Sequence, residues 1–320
     1  MVAAVETMAY AGDVPWHGLG TPVREDMTPD EILVEAGLDW SVSKRKMYLD
    51  SGVEVPRAFA LVRDSDDSVL SVVGPTYKPV QNRDALSFFD KFVKLGKMRM
   101  ETAGSLWDGR HVWGLARMEK SFVLPGDDEV KNFLMIHQPH LRDRSLVIQY
   151  TSVRVVCWNT LSMALNRASE SVFRMVHSRV FDEATMHEAE RVLGLANDTA
   201  SDFQQAAEFL ASKSVTDQKL EEYFCQVLQF DPTKAKRKKD GEIRWPRLMP
   251  KFKEAFEVAP GHETKSAVGT WWGALNAVTF AIDHAPINDN ERRLRSAWFG
   301  PGDERKRRAL HLAVEYAKAA

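Results

Sequence analysis

The chain has 320 residues, 44% of them hydrophobic and 28% charged, with a formal net charge of −2. A chain of this length buries well over half of its unfolded surface, which excludes wholesale disorder and any need for a disulfide or metal staple. Taken as a mean, the charge speaks against a generic polyanion binder.

Residues 1–44 read as an acidic N-terminal arm carrying one short helix. Within 1–43 there are eight acids (Glu6, Asp13, Glu25, Asp26, Asp30, Glu31, Glu35, Asp39) against one base, Arg24. Thr28 is suited to an N-cap, Pro29 to the first turn and Glu31 to the reciprocal capping position, and Gly37 supplies a stop, which predicts a helix over 29–36.

Residues 45–180 read as a β-rich α+β core. Val55–Arg63 and Ser68–Val73 flank a polar turn and predict a hairpin. Gln81–Leu95 has helical spacing and ends at Gly96. Strands are expected at Arg99–Ala103, Val112–Met118, Asn132–His137 and Leu146–Val156, with Trp107-Asp108-Gly109 and Leu124-Pro125-Gly126-Asp127 as turns. A short helix capped by Asn159 is expected from Thr160 to Arg167, then a last strand at Ser171–His177.

Residues 181–320 read as a helical region packed on or beside the core. Its candidate helices are Asp182–Lys213, Thr216–Gln229, Pro250–Val258, Lys265–His284 and Glu304–Ala319. The fold class is therefore α+β: an antiparallel meander sheet with few helices over about 45–180, followed by a helical C-terminal half.

Counting charge by segment resolves the neutral mean. Residues 182–230 carry ten acids and three bases. Three segments are basic: 139–179 with six arginines and two acids, 231–256 with nine bases and four acids, and 292–308 with seven bases and two acids. Each has aromatics nearby: Tyr150 and Trp158, then Trp245, then Trp298 and Phe299. Cations that neutralise phosphates, interleaved with rings that stack bases, are what a single-strand nucleic-acid site needs. A charge run such as Lys234–Lys239 also occurs as an ordinary solvated loop.

The search for chemistry comes up thin. The chain has no G-x-x-x-x-G-K-[ST], G-x-S-x-G, H-E-x-x-H or C-x-x-C. His137 and His140 lie three apart across Pro139, a spacing that reads as a structural or solvent-exposed pair before a metal pair. Cys157 and Cys225 sit in apolar company and read as free buried thiols, so Cys157 with His177 makes a poor nucleophile and base. On one strand Tyr150, Ser152 and Arg154 share a face that is polar enough to meet a ligand. Residues 101–106 bring small side chains to a strand end, and Thr270–Asp283 reads chiefly as a core helix. No basic leader, and no run approaching about eighteen apolar residues, opens or interrupts the chain, so a cytoplasmic location and no membrane partner are expected.

Five phrases occur in order over nearly the whole chain: PWHGLG near the start, YKPVQN at 77–82, ETAGSLWDGR at 101–110, TSVRVVCWNTL at 151–161 and WWGALNAVTFAIDH at 271–284. Together they resemble the phage/plasmid-like protein family, whose function is unknown. One departure is visible: His137-Gln138-Pro139-His140-Leu141-Arg142-Asp143 stands where the family carries a loop of the Asn-Ser-His-Asp-Gly type. The resemblance implies a mobile-element setting and no established activity. By fold analogy alone, the helix at 81–95, the meander and the helix at 160–167 are similar to the core of Rad52-type single-strand annealing proteins.

The expected function is single-stranded DNA binding that promotes annealing in phage or plasmid recombination, with no enzymatic step, no cofactor and self-association. Arg142, Arg144, Arg154, Arg167, Arg174 and Arg179 would hold phosphates and Tyr150 or Trp158 would stack bases, with Lys236, Arg237 and Lys238 as a second patch. The alternatives are a protein-interaction or assembly protein, for instance an inhibitor of a host system, and a metal-dependent nuclease.

Overall fold

A computed structural model of the chain describes residues 5–12, 20–119, 121–154, 159–162, 172–284, 296 and 300–319, by backbone alone at 154, 159–162 and 192–199. The fold is α+β, with strands concentrated before residue 177 and helices mostly after it. The chain divides into two compact units that interleave in sequence. One comprises Met1–Glu119, Phe133–Tyr150 and Glu170–Ala196, the other Lys120–Asn132, Thr151–Ser169 and Asn197–Ala320. These units do not follow boundaries at 44 and 180.

The first unit is built on a mainly antiparallel sheet. Its strands are β1 (Val5–Ala11), β2 (Thr21–Val23), β6 (Met98–Leu106), β7 (His111–Met118), and parts of β9 (Asp128–Pro139) and β10 (Ser145–Arg154), with β12 (Val172–Val176) on the edge of β10. The order is β2-β1-β6-β7-β9-β10-β12; β1 and β2 run parallel, while β1–β6, β6–β7, β7–β9 and β10–β12 pair antiparallel. Residues 5–11 are thus a sheet strand in register with β6, Ala9 opposite Ala103, rather than part of a separate arm. A second sheet of three strands, β3 (Val42–Tyr48), β4 (Glu54–Arg63) and β5 (Val69–Val73), closes over Val42, Leu61, Leu70, Val73 and Tyr77.

Helix α1 (Pro29–Glu35) carries the expected capping box: the Glu31 amide donates to the Thr28 hydroxyl at 3.2 Å, and the Thr28 amide donates to the Glu31 carboxylate at 2.8 Å. The helix expected over 81–95 is two short ones, α2 (Asn82–Ser87) and α3 (Asp90–Lys94). The break falls at Phe88 and Phe89, both buried, whose amides donate to the Ala85 and Leu86 carbonyls three residues back, a tighter turn that interrupts α-helical bonding. Both helices lie over Gly114 of β7, where a Cβ would come within 3.2 Å of Ile136, 3.3 Å of Phe89 and 3.4 Å of Leu86.

On the opposite face of the sheet the Trp113 indole lies across Gly104, and its Nε1 donates to the Thr102 hydroxyl at 3.3 Å. This explains the small residues at 101–106. A Cβ at 104 would collide with the indole and approach the Thr7 carbonyl at 2.7 Å. Gly104→Ala is expected to destabilise by about 1–3 kcal/mol through overpacking, read as a lower urea midpoint with an unchanged m-value.

The second unit holds two hairpins and the helical half. β8 (Phe122–Leu124) pairs with Asp128–Val130, and Thr151–Arg154 pairs with β11 (Asn159–Ser162). That second hairpin overturns the helix expected to start at Thr160, because Asn159–Ser162 complete the ladder hydrogen bonds of β10. Its helices are the later part of α4 (Glu183–Ala211), α5 (Asp217–Val227), α6 (Met249–Val258), α7 (Trp271–Asp283) and α8 (Pro301–Lys318). Helix α7 starts six residues later than expected. Gly269 has φ +62° and Thr270 pairs with Ser214, so Thr270 serves as N-cap through the Gly273 amide. The helix is buried on nearly all sides, with Trp271, Trp272, Leu275 and Val278 in the core.

Candidate functional site

The arginines expected to form a phosphate face are only partly brought to a surface. Arg142 and Arg144 are exposed in the turn between β9 and β10, Arg174 is exposed on β12, and Arg179 is exposed after it. Tyr150 is a correction: it is 1% exposed, and burial alone raises its hydroxyl pKa, so its ring offers no open face to a base. Ser152 is buried as well, at 2%, and so are Thr151 and Val153 on the other face of the strand. The Arg154 backbone pairs with Asn159, while Trp158, Arg167 and Cys157 lie outside the described residues.

Charge in the first unit is largely matched internally. Arg179 binds Glu188 at 2.7 Å, which raises the arginine pKa and lowers the carboxylate, and Arg142 lies 3.4 Å from Asp143. The acidic opening is engaged in the same way. Glu6 binds Arg63 at 2.6 Å, Glu25 binds Arg99 at 2.6 Å, and Asp30 binds Arg83. Arg63 also binds Asp66 at 2.5 Å and lies 5.4 Å from the Trp40 ring centre; Asp66 first, and then Glu6, raise its pKa against the opposing effect of burial.

The basic loop of the second unit is different. Lys236, Arg237 and Lys238 are exposed in a small reversal where Arg237 bridges Ile243 and the Lys238 amide donates to the Glu242 carbonyl at 2.8 Å. Lys234 pairs with Asp231 at 3.2 Å and Lys238 with Glu242 at 2.8 Å. Lys236, Arg237, Lys239 and Arg244 pair with no carboxylate among the described residues; Arg237 donates only to the Gly241 carbonyl, at 2.8 Å. Half-buried Trp245 sits in this run, its ring 5.5 Å from that of Phe230 and 5.4 Å from the Lys253 ammonium. The loop thus carries four cations without carboxylate partners among the described residues in the same stretch of chain as a half-buried indole.

Sequence reasoning missed the buried histidine cluster of the first unit. His111 begins β7, His137 and His140 end and follow β9, and His177 follows β12; all four are under 8% exposed. His111 Nδ1 and His137 Nε2 are 2.8 Å apart with their rings parallel, which requires one nitrogen to donate and the other to accept. His140 Nε2 lies 2.8 Å from the Asn82 side-chain oxygen, and Asn82 donates to the Leu38 carbonyl at 3.0 Å. His177 stacks on Tyr77 with 4.7 Å between ring centres. Burial pushes His140 down to about 3 and His137 well below the ordinary value, with neighbouring His111, Arg144, His140 and His177 adding to the latter. Burial also lowers His177, opposed in part by the nearby backbone of Lys78 and Pro139. His111 and His137 align only through the β7–β9 register, Trp113 opposite His137, and that pairing is invisible in one sequence.

Among the described residues no group of three or more His, Cys, Asp or Glu side chains is arranged to hold a metal ion, and no helix is long and apolar enough to cross a membrane. A β-meander topped by short helices, with a basic loop and a buried histidine core, defines an α+β protein without a recognisable catalytic set among those residues. The chain belongs to the DUF932 family, a domain of unknown function whose model matches residues 69–298. No curated protein and no solved structure matches the chain.

Proposed function

We propose that the protein binds single-stranded DNA and serves strand annealing or recombination of a phage or plasmid element, without chemistry on the strand. The observation that carries this reading is the loop at 231–248, where Lys236, Arg237, Lys239 and Arg244 lack carboxylate partners beside a half-exposed Trp245. Guanidinium and ammonium groups neutralise the backbone, and the indole stacks bases without selecting among them. The weight of the reading moves from the arginines of 139–179 to this loop, since Tyr150 is buried and Arg179 is matched by Glu188. The mobile-element setting rests on the phrases shared with the phage/plasmid-like family. Annealing is the use that suits a binder acting through charge and stacking; the Rad52 analogy loses the start of its second helix to β11.

The rival, an interaction protein that covers basic partners with its acidic opening and the acidic helical surface of 182–222, loses the first of these supports, because Glu6, Glu25 and Asp30 are already bound to arginines of their own unit.

The test is fluorescence anisotropy with labelled oligo-dT over a range of salt. Four phosphate contacts predict a slope of log affinity against log salt of about −3. Removing two of them with Lys239→Ala and Arg244→Ala is expected to flatten that slope by roughly 1.4 and to weaken binding at all base compositions. Absent binding, or binding indifferent to salt, overturns the reading.

A further inference from the structure

Beside the basic loop the second unit carries an open groove of about 390 Å³, lined by Cys225, Gln226, Gln229 and Phe230 at the end of α5 and by Arg308, His311 and Leu312 of α8, with Asp231 at its edge. That volume is in the range of small-molecule sites, about 300–1,000 Å³. Resting on the proposed nucleic-acid reading, we propose that this groove is a base-accepting subsite, which takes one unstacked nucleobase from the strand held on the 231–248 loop.

Each wall has a part in this. Phe230 and Leu312 are half-buried and present apolar surface, and Phe230 touches Trp245, so the groove continues the stacking surface of the loop. Gln226 and Gln229 are exposed at its rim, and a carboxamide offers both a donor and an acceptor to a base edge. Gln229 holds φ +53°, a left-handed conformation that a glycine adopts freely, yet the position carries an amide facing the groove. Arg308 donates one bond to the Val227 carbonyl at 2.9 Å, and His311 lies 3.3 Å from Glu315. Half-buried Arg308 lines the groove, and its remaining guanidinium donors suit the phosphate of the inserted nucleotide. Asp231 is ionised and tied to Thr233 and Lys234, so it repels a phosphate at that edge and can accept from the N3–H of an inserted thymine there. Charge complementarity thus favours a strand entering from the loop side, base first.

Cys225 makes the proposal measurable. Its thiol is 6% exposed at the groove wall, and burial first, then Glu221, raise its pKa, so alkylation is slow and sensitive to whatever fills the groove. The full chain is treated with iodoacetamide, and modification of Cys225 is followed by peptide mass spectrometry, free and saturated with oligo-dT. An abasic oligomer of equal length, phosphates without bases, is the comparison. Oligo-dT is expected to slow alkylation about fivefold or more and the abasic chain to leave it near the free rate. Gln226→Ala with Gln229→Gly is expected to weaken oligo-dT about tenfold and the abasic chain hardly at all. The glycine suits the backbone at 229, so this variant keeps the fold. Saturating oligo-dT that leaves Cys225 unprotected, or equal protection by the abasic chain, overturns the groove and leaves the loop reading standing. No oligonucleotide binding at all overturns both.

Discussion

Acidification from about pH 7 to about pH 4.5 is expected to remove at least roughly 3 kcal/mol of stability from the first unit, well before most carboxylates protonate. His137 and His140 are held neutral by burial, with folded pKa values below the unfolded value of about 6.5, that of His140 at about 3. Above the unfolded value neither state is protonated and the stability is fully present. As pH falls below it, the unfolded chain takes up protons that the folded chain refuses, so stability drops until the folded pKa is reached. Two pH units at about 1.4 kcal/mol each give about 3 kcal/mol for His140, and His137, whose pKa burial lowers in the same direction, adds to the loss. His177 acts in the same direction. The groups facing the cluster are His111, Arg144, Asn82 and the Tyr77 ring, and the Arg144 cation disfavours a second positive charge on His137. Urea titrations followed by near-UV circular dichroism from neutral pH down to about 4.5 measure the slope. His140→Asn is expected to reduce it by about one proton between those limits. A flat profile between neutrality and about pH 5 would show that these histidines are not held neutral by the fold.

Local chemistry made much of the fold legible and little of the site. The capping box at Thr28, the hairpin around 64–67 and the strands of 98–139 follow from residues that are neighbours in sequence, and the structure carries them. Errors arise where tertiary hydrogen bonding overrides local preference. Asn159–Thr160 looks like a helix start, but β10 has an open edge at Thr151–Arg154 and takes 159–162 as a strand. Val5–Ala11 looks like the front of an acidic arm, although Glu6 answers Arg63 and Ser105, residues about sixty and a hundred positions away. Candidate residues suffered the same way. Tyr150 and Ser152 are both buried, and alternation cannot say whether a strand face meets solvent or core. In contrast, the cations of 231–248 were legible because a short reversal keeps their few acids close by, Asp231 for Lys234 and Glu242 for Lys238, and leaves the others exposed.

Lys306→Met is expected to cost about 3–5 kcal/mol, the other large effect, although the substitution nearly conserves volume. Lys306 on α8 is 1% exposed and donates to the Asp283 carboxylate, 8% exposed, at 2.7 Å. Asp283 ends α7, where a negative charge opposes the helix dipole, so the ammonium offsets both the buried charge and that unfavourable end. Taking the lysine away removes the ammonium bonded to a largely buried carboxylate, which is more costly than losing the pair's net attraction. The double variant Lys306→Met with Asp283→Leu removes both desolvated charges and is expected to recover most of the loss. Chemical denaturation of the two single variants and the double one yields the coupling; additive losses would show that the two groups act independently. Function should follow stability here. Helix α8 also carries Arg308 and Leu312 of the groove, and its packing on α7 is fixed at this pair and at the Trp271–Tyr316 ring contact of 5.3 Å. Under the groove proposal, the single variant therefore loses Cys225 protection by oligo-dT while the salt-dependent affinity of the 231–248 loop persists, and the double variant regains the protection.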